Sequence, residues 1–409
     1  MTGKSSLLLI MGFAIIFMIK SKNFGDISTR STENYVNYYV ETVAHDIAIS
    51  AANIAANQVF LDPTWDDGYD DIPFQGGSYD VQLAVLDPYK NIREVTAQGT
   101  FHGLTKTVKV KFAPSKFSKF AYFSVSEGGT IWWTGNDTVW GPFHTQDYMR
   151  VYRHPVFYGK ATTKRSLVYY DSKTQDKPYF FGGYEQGVDL PLPTNAVDEM
   201  EAIADDNGLK FSGEDTVFVI FAGDSLKYKF NYSDEYTSVY LPTASPNGMI
   251  FAKNCILRMK GTVKGQYTIG CSSLMDNNKG TIYLDDDIVF NQDPRQYPNS
   301  NDLLGICAEN NVYITENAAN NSNINIHASV YCEKGGFGAE NYADRPVSGN
   351  INLLGGIIQH TRRAVGTFGN GGIKSGFAKR YLYDERLLVA SPPFFPGTGG
   401  FEIVSWLEL

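Results

Sequence analysis

Residues 7–19 read LLLIMGFAIIFMI, an uncharged apolar run that lies between Lys4 on one side and Lys20 and Lys22 on the other. The run is shorter than the roughly 20 residues that an isolated transmembrane helix needs. Its flanking charge suits a secretory signal, but no A-x-A-like cleavage site follows, since the next residues are KSKNFGDIS. The run therefore predicts a helix that a membrane or an assembly shelters from water.

The helical pattern continues far beyond the apolar run. No proline occurs between Asp26 and Pro63, and residues 46–60 (DIAISAANIAANQVF) are rich in small side chains, which let a helix approach a neighbour closely. One continuous helix over residues 5–60 would be about 80 Å long. Its second half is predicted to pack on copies of itself or on a sheet. The apolar positions of that half follow helical spacing: Val36, Val40, Val43, Ile47, Ala51 and Ile54.

This arrangement of an apolar half-helix and an amphipathic half-helix resembles the type IV pilins. The resemblance implies that the first half lies in the inner membrane before assembly and in the core of a filament afterwards, with Gly25 where the helix breaks on assembly. It implies three partners: other copies of the chain, the inner membrane and the pilus assembly machinery. The implied assembly positions are Leu7, Leu8, Leu9, Ile10, Phe13, Ile15, Ile16, Phe17 and Ile19.

The start of the helix departs from the major-pilin pattern. Ser5 and Ser6 stand where major pilins have a glutamate, which resembles the minor pilins and the K component of type II secretion. We expect Met1 to be the first mature residue, with cleavage after Gly3 as the alternative.

Composition indicates a β-rich, extracellular kind of surface. The 409 residues include 39 Gly, 26 Tyr and 26 Phe, and only 19% are charged. Such a chain favours strands joined by turns that tolerate positive φ. The net charge of −9 comes without a basic patch, which argues against direct binding of nucleic acid.

The predicted fold is mainly β with one long N-terminal helix. Residues 1–62 are expected to form the assembly helix, residues 63–119 a linker and a small antiparallel sheet, and residues 120–409 a right-handed parallel β-helix (solenoid). Strands are predicted at 79–86, 94–102 and 106–112, and a helical excursion at 194–208, with Thr194 or Asn195 as N-cap and Gly208 as C-cap.

Segments of the C-terminal half add a second resemblance, to a bacterial family in which a pilin-like helix precedes a β-helical domain. They include WGPFHT (140–145), NDLLGICAENNVYI (301–314), IHASVYCEKGGFGAENY (326–342) and GGIIQHTRRAVGTF (355–368). In such a domain we expect mostly parallel ladders, with strands roughly one coil apart in sequence and Cys255 and Cys271 on neighbouring coils.

Four cysteines, Cys255, Cys271, Cys307 and Cys332, show no CxxC spacing, which argues against zinc or a redox motif. Three pairings into disulfides are open, and four buried thiols are the alternative.

Other polar candidates favour structural roles. Asp285, Asp286 and Asp287 offer carboxylates for calcium but lack the DxDxDG spacing, so a solvated turn or strand edge is expected, and no metal or cofactor is predicted. His144 and His360 have no acidic or nucleophilic partner at a telling spacing.

Aromatic and arginine clusters also admit two interpretations. The aromatic set is expected to pack inside the solenoid, with a carbohydrate-stacking platform as the alternative. Arg362, Arg363 and Arg380 lie in no phosphate loop and are expected to bind carboxylates. The aromatic set is Trp132, Trp133, Trp140, Tyr148, Tyr152, Phe157 and Tyr158.

The sequence thus predicts a structural subunit of an extracellular type IV pilus-like filament and no enzyme. A minor tip adhesin is the first alternative. A membrane-tethered, polysaccharide-active β-helix enzyme is the second. The role of the filament in adhesion, motility, uptake or scaffolding stays open.

Overall fold

The computed structural model describes residues 2–87, 91–129, 131–135, 137–273, 278–369 and 372–409. The chain divides into two compact units. The first unit is Met1–Pro114 together with Gly400–Leu409, and the second unit is Ser115–Gly399.

The described residues form three α-helices and 29 strands. The helices are α1 (Thr2–Leu61), α2 (Ala196–Asp205) and α3 (Leu241–Ala244). The strands, in chain order, are β1 (Tyr69–Phe74), β2 (Gly77–Asp87), β3 (Ile92–Phe101), β4 (Leu104–Lys116), β5 (Tyr122–Ser126), β6 (Thr138–Val139), β7 (Phe143–Thr145), β8 (Met149–Val151), β9 (Val156–Phe157), β10 (Ala161–Thr163), β11 (Leu167–Tyr169), β12 (Tyr179–Phe180), β13 (Tyr184–Gln186), β14 (Leu209–Phe211), β15 (Thr216–Gly223), β16 (Ser225–Lys229), β17 (Thr237–Tyr240), β18 (Met249–Ala252), β19 (Ile256–Val263), β20 (Gln266–Cys271), β21 (Thr281–Phe290), β22 (Leu303–Ala308), β23 (Val312–Ile314), β24 (Ile324–Cys332), β25 (Phe337–Ala339), β26 (Val347–Thr361), β27 (Gly366–Gly369), β28 (Gly372–Leu382) and β29 (Gly397–Glu408).

The first unit packs the second half of α1 on a five-stranded sheet with the order β1-β2-β3-β4-β29. The pairs β1–β2, β2–β3 and β3–β4 are antiparallel, as the sequence predicts for this region. Gln75 and Gly76 both have positive φ in the two-residue turn before β2. That conformation matches the twist of a tight hairpin.

Small side chains let α1 lie very close to β3. A Cβ added to Gly99 would meet the carbonyl oxygen of Ala44 and the amide nitrogen of Ala48, each at 2.4 Å. The sheet is therefore the neighbour on which the small residues of α1 pack. The fully buried side chains of α1 are Ala44, Ile47, Ala48, Ala51, Ala52, Ala55 and Val59.

The buried face of α1 differs from the predicted face at its two ends. Ile47 and Ala51 are buried as expected, but Val36 and Ile54 are exposed. The reason is that the sheet covers only part of the helix, and in that part the alanine-rich side packs against it.

Most ladders between the described strands of the second unit are parallel. One series runs through β14, β18, β20, β22, β24, β26, β5, β7, β10 and β13, each strand parallel to the next. Antiparallel pairing is confined to β15–β16–β17 and β27–β28 among these strands.

Inward side chains stack along this series. Each residue of the stack pairs with the next across one ladder, and all are buried in one core. This ladder of aligned apolar side chains is the main core of the second unit. Its members, in order, are Ile250, Ile269, Ile306, Val330, Ile357, Tyr122, Phe143 and Ala161.

The series departs from chain order at one junction, which we call the seam: β26 pairs with β5, and Ile357 lies opposite Tyr122. Residues 122–186 therefore continue the stack that residues 209–361 begin, and the intervening residues connect its two ends. The sequence predicted pairing between strands roughly one coil apart, and the seam is the exception. Its partners are far apart in sequence, so no local pattern indicates it.

Helix α2 lies in the connection between the two ends of the stack, where the sequence predicts a helix. Val197, Met200 and Ala204 of α2 are buried in one cluster with Phe251 of β18. Asn195 occupies the N-cap position, as one of the two predicted candidates. The predicted C-cap is corrected: Asp206 is the C-cap, and Asn207 rather than Gly208 has the left-handed conformation, with φ 67°.

The predicted domain limits need two corrections. The helix of residues 1–62 and most of the 63–119 segment form one unit, because the helix buries its alanine face on the sheet. The last strand, β29, belongs to the same sheet and not to the C-terminal domain predicted for residues 120–409. Phe401 anchors it in the core of the first unit.

All four cysteines are buried and unbonded, so the disulfide alternative is corrected in favour of buried thiols. Cys271 lies opposite Ala252, and its thiol donates to the carbonyl oxygen of Cys255 at 3.3 Å. Cys255 and Cys271 are therefore neighbours on successive turns of the chain, as predicted. Burial raises the pKa of Cys332 to about 12, which keeps this thiol protonated.

Candidate functional sites

The first third of α1 carries the largest exposed apolar surface of the first unit. The nine predicted assembly side chains lie on continuous helix, and each is more than half exposed. Burying a side chain of this size contributes about 1.5–3 kcal/mol. A helix that exposes so many of them is stable only when a membrane or other helices surround it.

Length and composition allow α1 to cross a membrane. It is the one such helix among the described residues, with a mean hydropathy of 1.7 in its most apolar window. None of that window is buried against the rest of the chain. The apolar side chains surround the helix on all sides, unlike those of a soluble amphipathic helix.

Gly25 lies within unbroken helix in this single chain. Apart from the adjoining helix backbone, no atom of the described residues lies within 4 Å of a Cβ built at Gly25. The helix break predicted at Gly25 concerns the assembled state and stays a prediction. Its physical ground is that a glycine in a helix interior costs about 1 kcal/mol relative to alanine, which eases local unwinding.

The aspartate run is occupied by protein partners. Arg258 donates to Asp285 through Nη2 at 2.5 Å and Nε at 3.1 Å. Asp287 accepts from the backbone and side-chain amides of Asn325, and Asp286 lies 3.7 Å from Lys260. All three lie in strand β21, where they tie neighbouring turns together. No group of three or more metal-ligating side chains is found in the described part of the chain.

The two candidate histidines are not brought together. His144 is buried, lies 2.7 Å from Thr162 Oγ1 and stacks on Phe123 with ring centroids 5.1 Å apart. Burial lowers the pKa of His144 to about 4, so it stays neutral. His360 is exposed and lies 3.0 Å from the hydroxyl of Thr361. Their positions suit a packing role for His144 and a surface role for His360.

Four of the seven aromatic candidates separate into two pairs. Trp133 and Phe157 are buried core residues. Trp140 and Tyr158 are about half exposed; Trp140 stacks on Tyr158 with ring centroids 6.0 Å apart, and Tyr158 stacks on Phe181 with ring centroids 5.2 Å apart. The prediction of a core position is thus confirmed for Trp133 and Phe157 and wrong for Trp140 and Tyr158. These two residues form an exposed aromatic ladder with Phe181, Trp140–Tyr158–Phe181.

The seam contains a buried charge cluster that the sequence does not predict. The carboxylate of Glu127 is fully buried and accepts hydrogen bonds from Tyr122, Ser124, Trp133 and Arg362. Arg362 therefore binds a carboxylate within its own chain, as predicted for the arginines. No local sequence pattern indicates the role of Glu127, because its partner Arg362 is 235 residues away in sequence.

The other two predicted arginines lie on the surface. Arg363 is exposed and donates from Nε to Asn311 Oδ1 at 2.6 Å, an amide rather than the expected carboxylate. Arg380 is exposed on β28 opposite Asn352.

A cavity of about 1010 Å³ lies beside this cluster, which we call the seam cavity. It takes lining residues from both sides of the seam, Trp132 and Asp137 from one side and Arg362 and Lys379 from the other. Lys379 lies 3.9 Å from Asp137, and its side chain is 17% exposed. Further aromatic lining comes from Tyr283, Tyr313, Tyr342 and Phe368.

Comparison with known proteins gives a likeness at the level of structure. No protein-family model matches the chain. No curated protein matches it in sequence. Among solved structures, the crystal structure of the competence-associated pilin ComZ from Thermus thermophilus is similar with a TM-score of 0.38 and 12% sequence identity, over 90% of this chain and 96% of that one.

Proposed function

We propose that this chain is a structural subunit of an extracellular type IV pilus-like filament. The observation that supports the proposal is the first third of α1, whose apolar side chains are exposed all round while its alanine-rich second half is already buried on the sheet. Such a helix needs one environment before assembly and another after it, the inner membrane and then a bundle of copies.

The second unit completes the proposal as the outward part of the subunit. Its parallel ladders and its aligned stack of apolar side chains support a right-handed β-solenoid built from two runs of chain that meet at the seam. No catalytic step is assigned to it. A minor tip adhesin would use the same helix, and the number of copies in purified filaments separates the two roles.

The test replaces Ile15 or Ile16 by aspartate. Because an unpaired charge inside a helix bundle costs several kcal/mol, we expect Ile15→Asp and Ile16→Asp to abolish filaments in electron micrographs of sheared cell-surface material. Membrane fractionation should still recover the chain. Resistance to proteolysis should show that both units remain folded.

A matched control is Asn34→Asp, which adds the same charge at an exposed position of α1 beyond the apolar run. Filament yield should be unchanged in this control. A normal yield from either isoleucine variant would remove the assembly role from residues 7–19.

A further inference from the structure

Two cations line the seam cavity: Arg362, which is buried, and Lys379, whose side chain is 17% exposed. Within the described chain, the ammonium of Lys379 lies 3.9 Å from the carboxylate of Asp137, beyond the 2.7–3.2 Å of a hydrogen bond, and 5.7 Å from the centroid of the Trp133 ring. Arg362 uses Nη1 for Glu127, whereas its Nη2 is buried with no hydrogen-bond partner among the described residues. Buried donors are nearly always paired, so Arg362 Nη2 indicates a missing partner, and the ammonium of Lys379 lies on the same cavity wall.

The same cavity offers acceptors and aromatic surface. Phe368 and Tyr342 are 55% and 41% exposed, and Trp132 is half-buried. Glu340 uses one oxygen for the backbone amide of Glu316. The backbone amide of Asp344 donates to the carbonyl oxygen of Asn341 at 2.9 Å, but its carboxylate makes no hydrogen bond or ion pair within the described residues. Donors, acceptors and flat apolar rings therefore meet in one concave site.

We propose that the seam cavity binds a saccharide chain built from hexose rings. A sugar ring presents a flat face of C–H groups, which suits Trp132 and Phe368, and a rim of hydroxyls that both donate and accept. Charge-assisted hydrogen bonds from Lys379 would hold such hydroxyls. The volume of about 1010 Å³ is at the upper end for ligand sites and leaves room for more than one ring.

Other ligand classes fit the cavity less well. An anionic ligand such as a phosphate would meet the carboxylates of Asp137, Glu340 and Asp344 together with the cations, so the site has no net positive charge to hold it. A lipid tail would leave those charged groups desolvated and unpaired, which costs several kcal/mol. A neutral, hydroxyl-rich ligand avoids both penalties.

This inference adds a ligand class to the proposed function. It rests on that function only in one respect, that the filament would display the second unit on the cell surface. Binding itself does not require filaments. The probe is a printed array of hexose and N-acetylhexosamine oligosaccharides of two to six rings, tested with the full chain in detergent. We expect one structural group of these oligosaccharides to bind, and the strongest is then titrated against variants.

Phe368→Ala and Trp132→Ala are expected to weaken binding at least tenfold, and Lys379→Met likewise. Phe368 is exposed, so its removal leaves the fold intact, which circular dichroism checks. The matched control is Tyr158→Ala in the exposed aromatic ladder, which should bind as the parent chain does. The inference is overturned when no oligosaccharide binds, or when the ladder variant loses as much affinity as the cavity variants.

The two proposals fail separately. Ile15→Asp should retain saccharide binding in detergent, and Phe368→Ala should still form filaments. Normal filaments without saccharide binding contradict the inference alone. Saccharide binding by a chain whose Ile15→Asp variant still assembles contradicts the filament proposal alone.

Discussion

The carboxylate of Glu127 shows how single residues hold the second unit together. Burying one charge costs several kcal/mol, and the cost is offset only when its lone pairs are all used. Four donors surround Glu127, and one of them, the guanidinium of Arg362, lies above the Trp133 ring at 4.0 Å. Because Glu127 follows β5 and Arg362 follows β26, this pair fixes the alignment of the two strands at the seam.

Glu127→Gln is expected to lower the free energy of unfolding by about 3–5 kcal/mol, since Arg362 then becomes a buried charge without a counter-charge. Urea unfolding followed by tryptophan fluorescence measures the change. The control is Glu185→Gln, which breaks the solvent-exposed pair with Lys160 and should cost less than about 1 kcal/mol. Equal effects of the two changes would contradict the role given to the buried pair.

Glu333 gives the second unit a pH dependence. Its Oε2 accepts from the backbone amide of Val197 in α2, while its Oε1 is buried without a partner among the described residues. Burial raises the pKa of Glu333 to about 7, above its ordinary 4.5. Below pH 4.5 the side chain is protonated in both the folded and the unfolded state. Between pH 4.5 and 7 only the unfolded state loses the proton, so stability falls over that window.

Glu333→Gln should therefore flatten the stability profile between pH 4.5 and 7. In the parent chain, Glu333 should lower the free energy of unfolding over this window by an amount on the order of 3 kcal/mol, at about 1.4 kcal/mol per pKa unit. Urea unfolding at half-unit pH steps measures both chains. Parallel profiles for parent and variant would exclude Glu333 as the source.

At the scale of elements, the contact between α1 and β3 decides how the first unit forms. Residues 44–59 of α1 are mostly alanine on the buried side, and Gly99 of β3 provides the gap into which the helix backbone fits. Close packing of backbone on backbone leaves few rotamers to order, which reduces the entropic cost of the contact. The same helix keeps its apolar first third free of the sheet, so one element serves both a core and an exposed assembly surface.

Gly99→Ala is expected to destabilise the first unit by about 1–3 kcal/mol, because the new methyl would overlap backbone atoms of α1 that cannot move without displacing the helix. Thermal unfolding by circular dichroism measures it. Gly400→Ala is the control, since its Cβ meets no atom within 4 Å and it should change stability by less than about 0.5 kcal/mol. An unchanged melting temperature for Gly99→Ala would show that the helix is not held at this distance.

At the scale of the whole molecule, the second unit is one stack made from two runs of chain. Residues 188–208 connect its far ends, yet the stack itself is held by the β26–β5 ladder and by the inward side chains on both sides of it. Tyr122 stacks on Phe143 on one side of the seam and lies opposite Ile357 on the other. The covalent continuity of the connection is therefore needed to reach the fold rather than to hold it.

A protease site inserted between Thr194 and Asn195, both exposed, tests this view. After cleavage, the two fragments should stay together in native gel filtration and separate only in denaturant, because the ladder and the ion pair at the seam remain, as does the pairing of β29 in the sheet of the first unit. The uncut chain with the same insertion is the control. Separation of the fragments under native conditions would show that the connection holds the stack.

The sequence alone determined the features that depend on neighbouring residues. The apolar run, the long helix, the hairpins of the small sheet and the helix near residue 200 follow from local spacing and turn residues. The prevalence of parallel strands follows from the many short β segments together with the resemblance to a β-helical family. In the run GMIFAKNCIL, however, alternation could not decide between Ile250 and Phe251 as the inward residue. The structure buries both, Ile250 in the inner stack and Phe251 beneath α2, because the helix covers the outer face.

Only the tertiary structure decided the features that join distant parts of the chain. These are the return of β29 to the first sheet, the seam between β26 and β5, the Glu127–Arg362 pair and the cavity beside it. Each depends on a contact between residues more than 200 positions apart or on the stack that such a contact creates. Their energy comes from burial that exists only after the chain has folded, so a single sequence carries no local signal for them.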